Sequence, residues 1–301
     1  MLGATFLTFM LMQLAPGDPA EQIALARYGM DNLTEEMIAE IRAEENLDAP
    51  VLVQYGTWLS HVLQGDLGRS LTSGVSVTDE IWKRFPATLE LALAAMFISL
   101  IISIPIGVIS AVKRYSVFDH MSMGGALVGV SMPNFWLALL LIMLFSVTLG
   151  WFPVFGRGGI QHLVLPAVTL GTGMIAINAR LMRSGMLEVL GQNYIRTARA
   201  KGLTERAVNW KHALRNALVP VVTVAGLQLA YLLEGSVVVE TIFAWPGIGR
   251  LLVESIYSQD YAVIQGCTLA IAAVFVITNL LVDISYAFLD PRIRYEKRAL
   301  A

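Results

Sequence analysis

The stretch Gly191–Pro220, GQNYIRTARAKGLTERAVNWKHALRNALVP, decides how the rest of this chain is read. It carries Arg196, Arg199, Lys201, Arg206, Lys211 and Arg215 against one acid, Glu205. Long apolar runs lie on both sides of it. A polar, cationic island between two apolar runs is the pattern of a membrane chain that displays one loop on one face of the bilayer.

Composition agrees. The chain is 301 residues long, 56% hydrophobic and 15% charged, with a mean hydropathy of +0.64. Soluble domains run nearer a quarter charged, and several runs here exceed the ~18 apolar residues that mark a membrane helix. The runs are continuous, which excludes the short alternating segments of an outer-membrane barrel. The class is an all-α integral membrane protein. A net charge of -2 gives no global field for nucleic acid, and the single cysteine, Cys267, excludes an intrachain disulfide. Its apolar flanks also argue against a reactive thiol, which needs an electropositive setting.

Working outward, about six transmembrane helices are expected. Residues 1–14 are apolar but reach only roughly 20 Å against a ~30 Å hydrocarbon core, so they read as a first span lacking its opening turns. Residues 15–87 form an external helical region, opened by the proline-rich Ala15–Pro19 and containing a helix start at Thr34, a turn at 64–70 and a short amphipathic helix over Val77–Phe85. Residues 88–290 form the transmembrane core. Its spans are Thr88–Val112, interrupted by Pro105 and Gly107; Met121–Leu149, with Pro133 inside it; Leu163–Met182; Asn216–Val239; and Ala262–Leu289. The island, 191–215, falls between the fourth and fifth spans, and 291–301 is a tail. With both termini in the cytoplasm, fourteen of the twenty-one Lys and Arg residues fall on the inner side, as the positive-inside rule requires.

Within the island, Tyr194–Gly202 reads as a helix with Ile195, Ala198 and Gly202 on one small, apolar face and cations on the others. Ala198, Ala200 and Gly202 are expected to let another protein approach closely. Gly202 suits the position just past a helix end, and Thr204 caps a second helix. The result is a helix–Gly–helix element presented to a partner. The same residues also fit a solvated loop, or a basic surface on anionic lipid.

The chain as a whole resembles the permease subunits of ATP-binding-cassette (ABC) importers, in the dipeptide/oligopeptide/nickel branch. The resemblance rests on Leu14–Pro19 (LAPGDP), Gly65–Ser70 (GDLGRS), Phe85–Leu91 (FPATLEL), Tyr194–Leu203 (YIRTARAKGL), His212–Ala217 (HALRNA), Phe243–Arg250 (FAWPGIGR) and Leu289–Arg294 (LDPRIR), in that order and spacing. It departs from the broader importer superfamily's Glu-Ala-Ala…Gly…Leu-Pro pattern, of which only Ala198 and Gly202 fit. The resemblance implies a transport subunit and no enzyme. It implies a heterodimer with a related permease, two cytoplasmic ATP-binding subunits and an external solute-binding protein, set in the lipid of an inner membrane. ATP and Mg²⁺ are expected on the partner subunits, with no cofactor in this chain; the chain has no Gly-x-x-x-x-Gly-Lys-Ser/Thr phosphate loop. Arg196, Thr197, Ala198, Arg199, Ala200, Lys201 and Gly202 correspond to the element that couples to the ATPase. The implied cargo is a di- or oligopeptide, or nickel or a nickel complex.

Other candidates are fewer. Glu234, Gln228 and Asn178 lie inside spans and are possible pathway residues, since polar groups in a membrane are expensive; Gln228 and Asn178 also suit hydrogen bonds between helices. Asp283 near the end of the last span reads as an interfacial, structural carboxylate. His61, His120, His162 and His212 show no metal-ligand spacing. Most of the tryptophans read as interface belts. A stand-alone secondary transporter or channel is the competing reading, but internal repeats, its usual mark, are not apparent between Thr88–Met182 and Asn216–Leu289.

Overall fold

The computed structural model describes residues 2–13, 18–29, 33–44 and 46–289, and the elements among them are helices, with one isolated β-bridge between Arg69 and Ser76. Two compact units divide the chain, Met1–Thr88 with Pro246–Val274, and Leu89–Trp245 with the residues from Phe275 on.

In the first unit, α1 (Leu2–Gln13) is an apolar helix of 12 residues. The short helices α2 (Pro19–Tyr28), α3 (Glu35–Glu44) and α4 (Val51–Leu63) follow it. Asp18 caps α2 through the Ala20 amide, with Pro19 at the first helical position, where its missing N–H costs nothing. Thr34 caps α3 as its sequence suggests, its hydroxyl accepting from the Met37 amide at 3.3 Å. Ala20, Ile23, Ala24 and Ile41 form a small core between α2 and α3, and Arg42 pairs with Asp18 across it. The turn at 64–70 uses positive φ at Gly65 and Gly68.

Asp260 latches that turn. Its carboxylate, 2% exposed, accepts from the Ser70 hydroxyl at 2.5 Å, from the Thr72 hydroxyl at 3.0 Å, and from the amides of Leu71 (3.1 Å), Thr72 (3.2 Å) and Val263 (3.3 Å). It thereby also caps α14 (Tyr261–Leu289). α13 (Ile248–Tyr257) packs its apolar face on Val77, Ile81, Val263 and Cys267, and the Thr88 hydroxyl accepts from its Ile248 amide at 2.9 Å.

One expectation is corrected here. The amphipathic helix over Val77–Phe85 and the span after it are a single helix, α5 (Val77–Val112), uninterrupted by Pro86, Pro105 or Gly107. Proline inside a membrane helix is tolerated where neighbours re-satisfy the freed carbonyl.

The second unit is built around α8 (Ile160–Leu190). Its glycines and those of α5 fix the register. A Cβ on Gly171 would lie 2.8 Å from the Ala95 carbonyl oxygen, and one on Gly107 would lie 2.5 Å from the Met182 Cβ. Asn178 bonds Ser99 between these two contacts. Residue numbers rise together, so α5 and α8 run parallel. Against α6 (Val117–Ser131) the order is reversed. Asp119 binds Arg183, and Gly129 meets Thr172, so α6 and α8 are antiparallel.

α6 is followed by α7 (Asn134–Leu141) and a π-helical segment, Ile142–Thr148. The break at Pro133 bends this pair by 106°. Four described helices are long and apolar enough to cross a membrane, or five if the bent pair is one span. The register of the contacts bears on the bent pair. Asp119 lies beside the C-terminal end of α8, and Arg157 immediately precedes its N-terminal end. Between them the chain runs along α8 from the level of Arg183 to that of Ile160, about 35 Å, so the bent pair leads from one end of α8 to the other. α11 (Leu214–Gly235) then packs on α8 through Gly185 and Ala217. It runs antiparallel to α14, through Gly226 with Val282 and Tyr231 with Phe275.

The two ends of this unit differ. At the N-terminal end of α8, Arg157 pairs with Glu90 at 2.5 Å and lies over the Trp245 ring. Gly156 donates there to the Phe243 carbonyl at 2.8 Å. Trp245, which sequence leaves between an interface belt and an outer re-entrant turn, is 1% exposed; it lies in the corner after α12 (Val237–Ile242). At the other end lie Lys113, Arg114, Arg183 and the whole cationic island.

Candidate coupling site

The island folds into an elbow of three short pieces, α9 (Asn193–Ala200), α10 (Glu205–Ala207) and a π-helical turn, Val208–Ala213, which leads directly into α11. The joint between α9 and α10 follows from two residues. Gly202 has φ +77, the left-handed conformation that glycine adopts without cost. Its amide donates to the Arg199 carbonyl at 2.9 Å, and the Leu203 amide to the Ala198 carbonyl at 3.3 Å. Together they form a Schellman closure that satisfies the helix's last carbonyls. Thr204 then caps α10, its hydroxyl accepting from the Ala207 amide at 3.4 Å.

An ion pair clamps the joint. Arg199 donates through Nε to Glu205 at 2.8 Å and through a terminal nitrogen to the other carboxylate oxygen at 3.2 Å. The two parallel bonds suit the planar guanidinium. They hold Arg199 charged, its pKa raised above the ordinary arginine range. The island's one acid is therefore committed to its own fold.

The elbow has two faces. Ile195, Ala198, Val208 and Ala213 point inward and are at most 8% exposed, packed with Val108, Ala111, Met182, Met186, Val189, Ala217 and Val221. Ala198, expected to let another protein approach, is 8% exposed and packs with Ile195 over the unit's own core, as helical periodicity places it. Outward lie Arg196, Thr197, Arg199, Ala200, Lys201 and Gly202, with Leu203 and Trp210 adding exposed apolar surface at 40% and 44%. Arg196, Lys201, Arg206 and Lys211 form no ion pair among the described residues. A Cβ on Gly202 would touch nothing within 4 Å, so the surface beside it is open. Tyr194 and Asn216 tie the elbow to α11, the amide donating to the phenol oxygen at 2.6 Å.

The other sequence candidates are not brought to this site. Asn178 is fully buried, its amide donating to the Ser99 hydroxyl at 3.3 Å, the geometry of a bond between helices. Gln228 is 8% exposed, with neither amide atom bonded among the described residues. Both sit inside the unit's packing, away from an open surface. The side chains of Glu234 and Asp283 lie outside the described residues, as does the segment 290–301 with most of the LDPRIR motif. Among the described residues no three His, Cys, Asp or Glu side chains converge to hold a metal.

Sequence reasoning missed the Asp119–Arg183 pair. Both guanidinium bonds are short, 2.6 and 2.7 Å, and Asp119 also accepts from the Tyr115 amide at 3.0 Å. The two residues are 64 apart in sequence, and no local pattern marks them as partners.

Two family descriptions match the chain. The binding-protein-dependent transport system inner membrane component matches residues 103–295, and the corresponding N-terminal component matches residues 1–92. Among curated proteins, the chain is 44% identical to the dipeptide transport system permease protein DppB of Escherichia coli strain K12, over 98% of this chain and 95% of that protein. It is 45% identical to a di/tripeptide transport system permease of Pseudomonas aeruginosa, over 98% and 95%. It is 48% identical to a putative peptide transport system permease of Brucella abortus, over the same shares. Among solved structures, an inward-facing form of the MetNI methionine ABC transporter superposes with a TM-score of 0.60 at 20% identity, covering 70% of this chain and 96% of that one. That likeness speaks for the fold alone.

These relatives are transport subunits and not enzymes, and the many-span apolar fold is that of an inner-membrane protein. The chain therefore belongs to the binding-protein-dependent transport system inner membrane component family: it is an ABC importer permease.

Proposed function

We propose that this chain is one of two related permease subunits in an ATP-driven importer of di- and oligopeptides. Two cytoplasmic ATPase subunits drive it, and an external solute-binding protein delivers the cargo. The observation that carries the coupling role is the elbow's division of labour. Its inward face is apolar and fused to the core around α8 and α11, while its outward face is cationic, with Arg196, Lys201, Arg206 and Lys211 in no ion pair among the described residues. A push on the outward face reaches the spans through Ile195, Ala198 and Val208, because packed interiors transmit displacement instead of absorbing it. Peptide cargo is supported by three relatives whose names specify dipeptide, di/tripeptide or peptide transport.

The orientation follows from charge. Lys113, Arg114, Arg183 and the island cluster at one end of α8, and an excess of Lys and Arg marks the cytoplasmic side. The elbow and both termini are then cytoplasmic, and the corner at Arg157 and Trp245 is external. ATP and Mg²⁺ act on the partner subunits.

The test is reconstitution with the paired permease, ATPases and binding protein. Labelled dipeptide is expected to enter vesicles only with ATP and binding protein present. Entry driven by an ion gradient in the chain alone overturns the reading in favour of a stand-alone carrier. Entry of a nickel complex without peptide overturns the cargo assignment.

A further inference from the structure

α8 is hemmed in on most sides. α5 meets it at Gly171 and Met182, α6 at Thr172 and Arg183, and α11 at Gly185. Of its apolar window 44% is buried, against 22% to 39% for the other spans. From Leu163 to Leu190 only Ile177, Arg180, Ser184 and Glu188 are exposed. At about 100° per residue these four fall within roughly 80° of one another, so they form one stripe along one face. Three of the four are polar or charged.

Lipid does not suit this face. The exposed side chains of α6, α7 and the π-helical segment are mostly apolar by contrast. Leu127, Val128, Val130, Leu139, Leu140, Met143 and Leu144 are exposed there. Arg180 has no ion pair among the described residues. It lies two residues inside Met182, which packs at Gly107, five residues before the end of α5. That places it about 10 Å within the helix layer. Charged side chains at such positions are costly toward lipid and face protein or water.

We infer that this stripe is the wall that the chain contributes to the aqueous translocation path, with Arg180 as the cation that meets a carboxylate of the passing cargo. The inference rests on the importer reading above. It differs from the sequence-level choice of Asn178, which lies on the same helix but points into its packing.

The test uses the assembled importer with Cys267→Ala as background, because Cys267 is the one native thiol. A hydrophilic methanethiosulfonate is expected to modify Ile177→Cys and Ser184→Cys about tenfold faster than Leu139→Cys and Met143→Cys, since thiolate chemistry needs water. Equal rates at all four positions overturn the path assignment. Arg180→Gln is expected to cut dipeptide uptake about tenfold, with Arg180→Lys retaining about half. With one binding protein throughout, Arg180→Gln also brings the uptake ratio of a dipeptide to its C-terminal amide toward one. Parental uptake, or an unchanged ratio, in Arg180→Gln overturns the role of Arg180. If the importer with Cys267 intact moves no peptide with ATP, the importer reading fails, while the labelling contrast still reports whether the stripe faces water.

Discussion

Gly202 is the residue on which the elbow turns. Its φ of +77 is strained for any residue with a Cβ, although the space around it is open. Gly202→Ala is expected to cost about 1–2 kcal/mol locally and to leave some uptake. Gly202→Asp adds a negative charge to the cationic outward face. It is expected to insert normally yet lose both uptake and substrate-stimulated ATP hydrolysis, as measured on the reconstituted importer. Normal uptake in Gly202→Asp contradicts a coupling role. Asp119 illustrates the opposite case, a residue whose role is structural. Removing it leaves Arg183 with no carboxylate among the described residues, and stranding one member of a buried pair costs about 3 kcal/mol. Asp119→Ala is expected to lower the thermal midpoint of the detergent-solubilised subunit, and an unchanged midpoint contradicts the buried clamp.

Among the elements, the spans were legible because twenty apolar residues in a row admit few alternatives. The elbow's caps were legible because Gly202 and Thr204 act on neighbours one turn away. What sequence did not show are the relations between elements. α4, with Gly56 inside a run of mixed polarity, carried no clear periodic signal. The fusion of Val77–Phe85 with the following span was hidden by Pro86. The inward turn of Ala198 depends on a core assembled from α5, α8 and α11, and the open stripe on α8 is visible only once its other faces are covered. Gly107 tests the parallel α5–α8 contact. Its Cβ position lies 2.5 Å from Met182 and 2.7 Å from the Ala179 carbonyl, and backbone yields poorly. Gly107→Val is expected to cost about 1–3 kcal/mol in thermal stability, whereas Gly124→Val, with nothing within 4 Å, stays near neutral. In the first unit, Asp260→Asn weakens bonds to a charged acceptor, each worth about 1.5–3 kcal/mol. Hydrogen exchange at the Leu71 and Thr72 amides is expected to speed up by about tenfold or more; unaltered exchange contradicts the latch.

For the molecule as a whole, charge and packing divide the second unit into two ends joined by its long helices. At one end the Arg157–Glu90 pair pins the loop ahead of α8. At the other the elbow stands on the core around Met182 and Met186. The proposed mechanism uses that polarity: nucleotide-driven motion of a partner enters at the elbow and is delivered to the spans that wall the path. The most direct measurement places a photo-crosslinking amino acid at Ala200, on the outward face of α9, in the assembled importer in native membranes. The account predicts an adduct with an ATPase subunit whose yield changes when nucleotide is bound. Adducts with lipid or with the external binding protein, and none with an ATPase, contradict it.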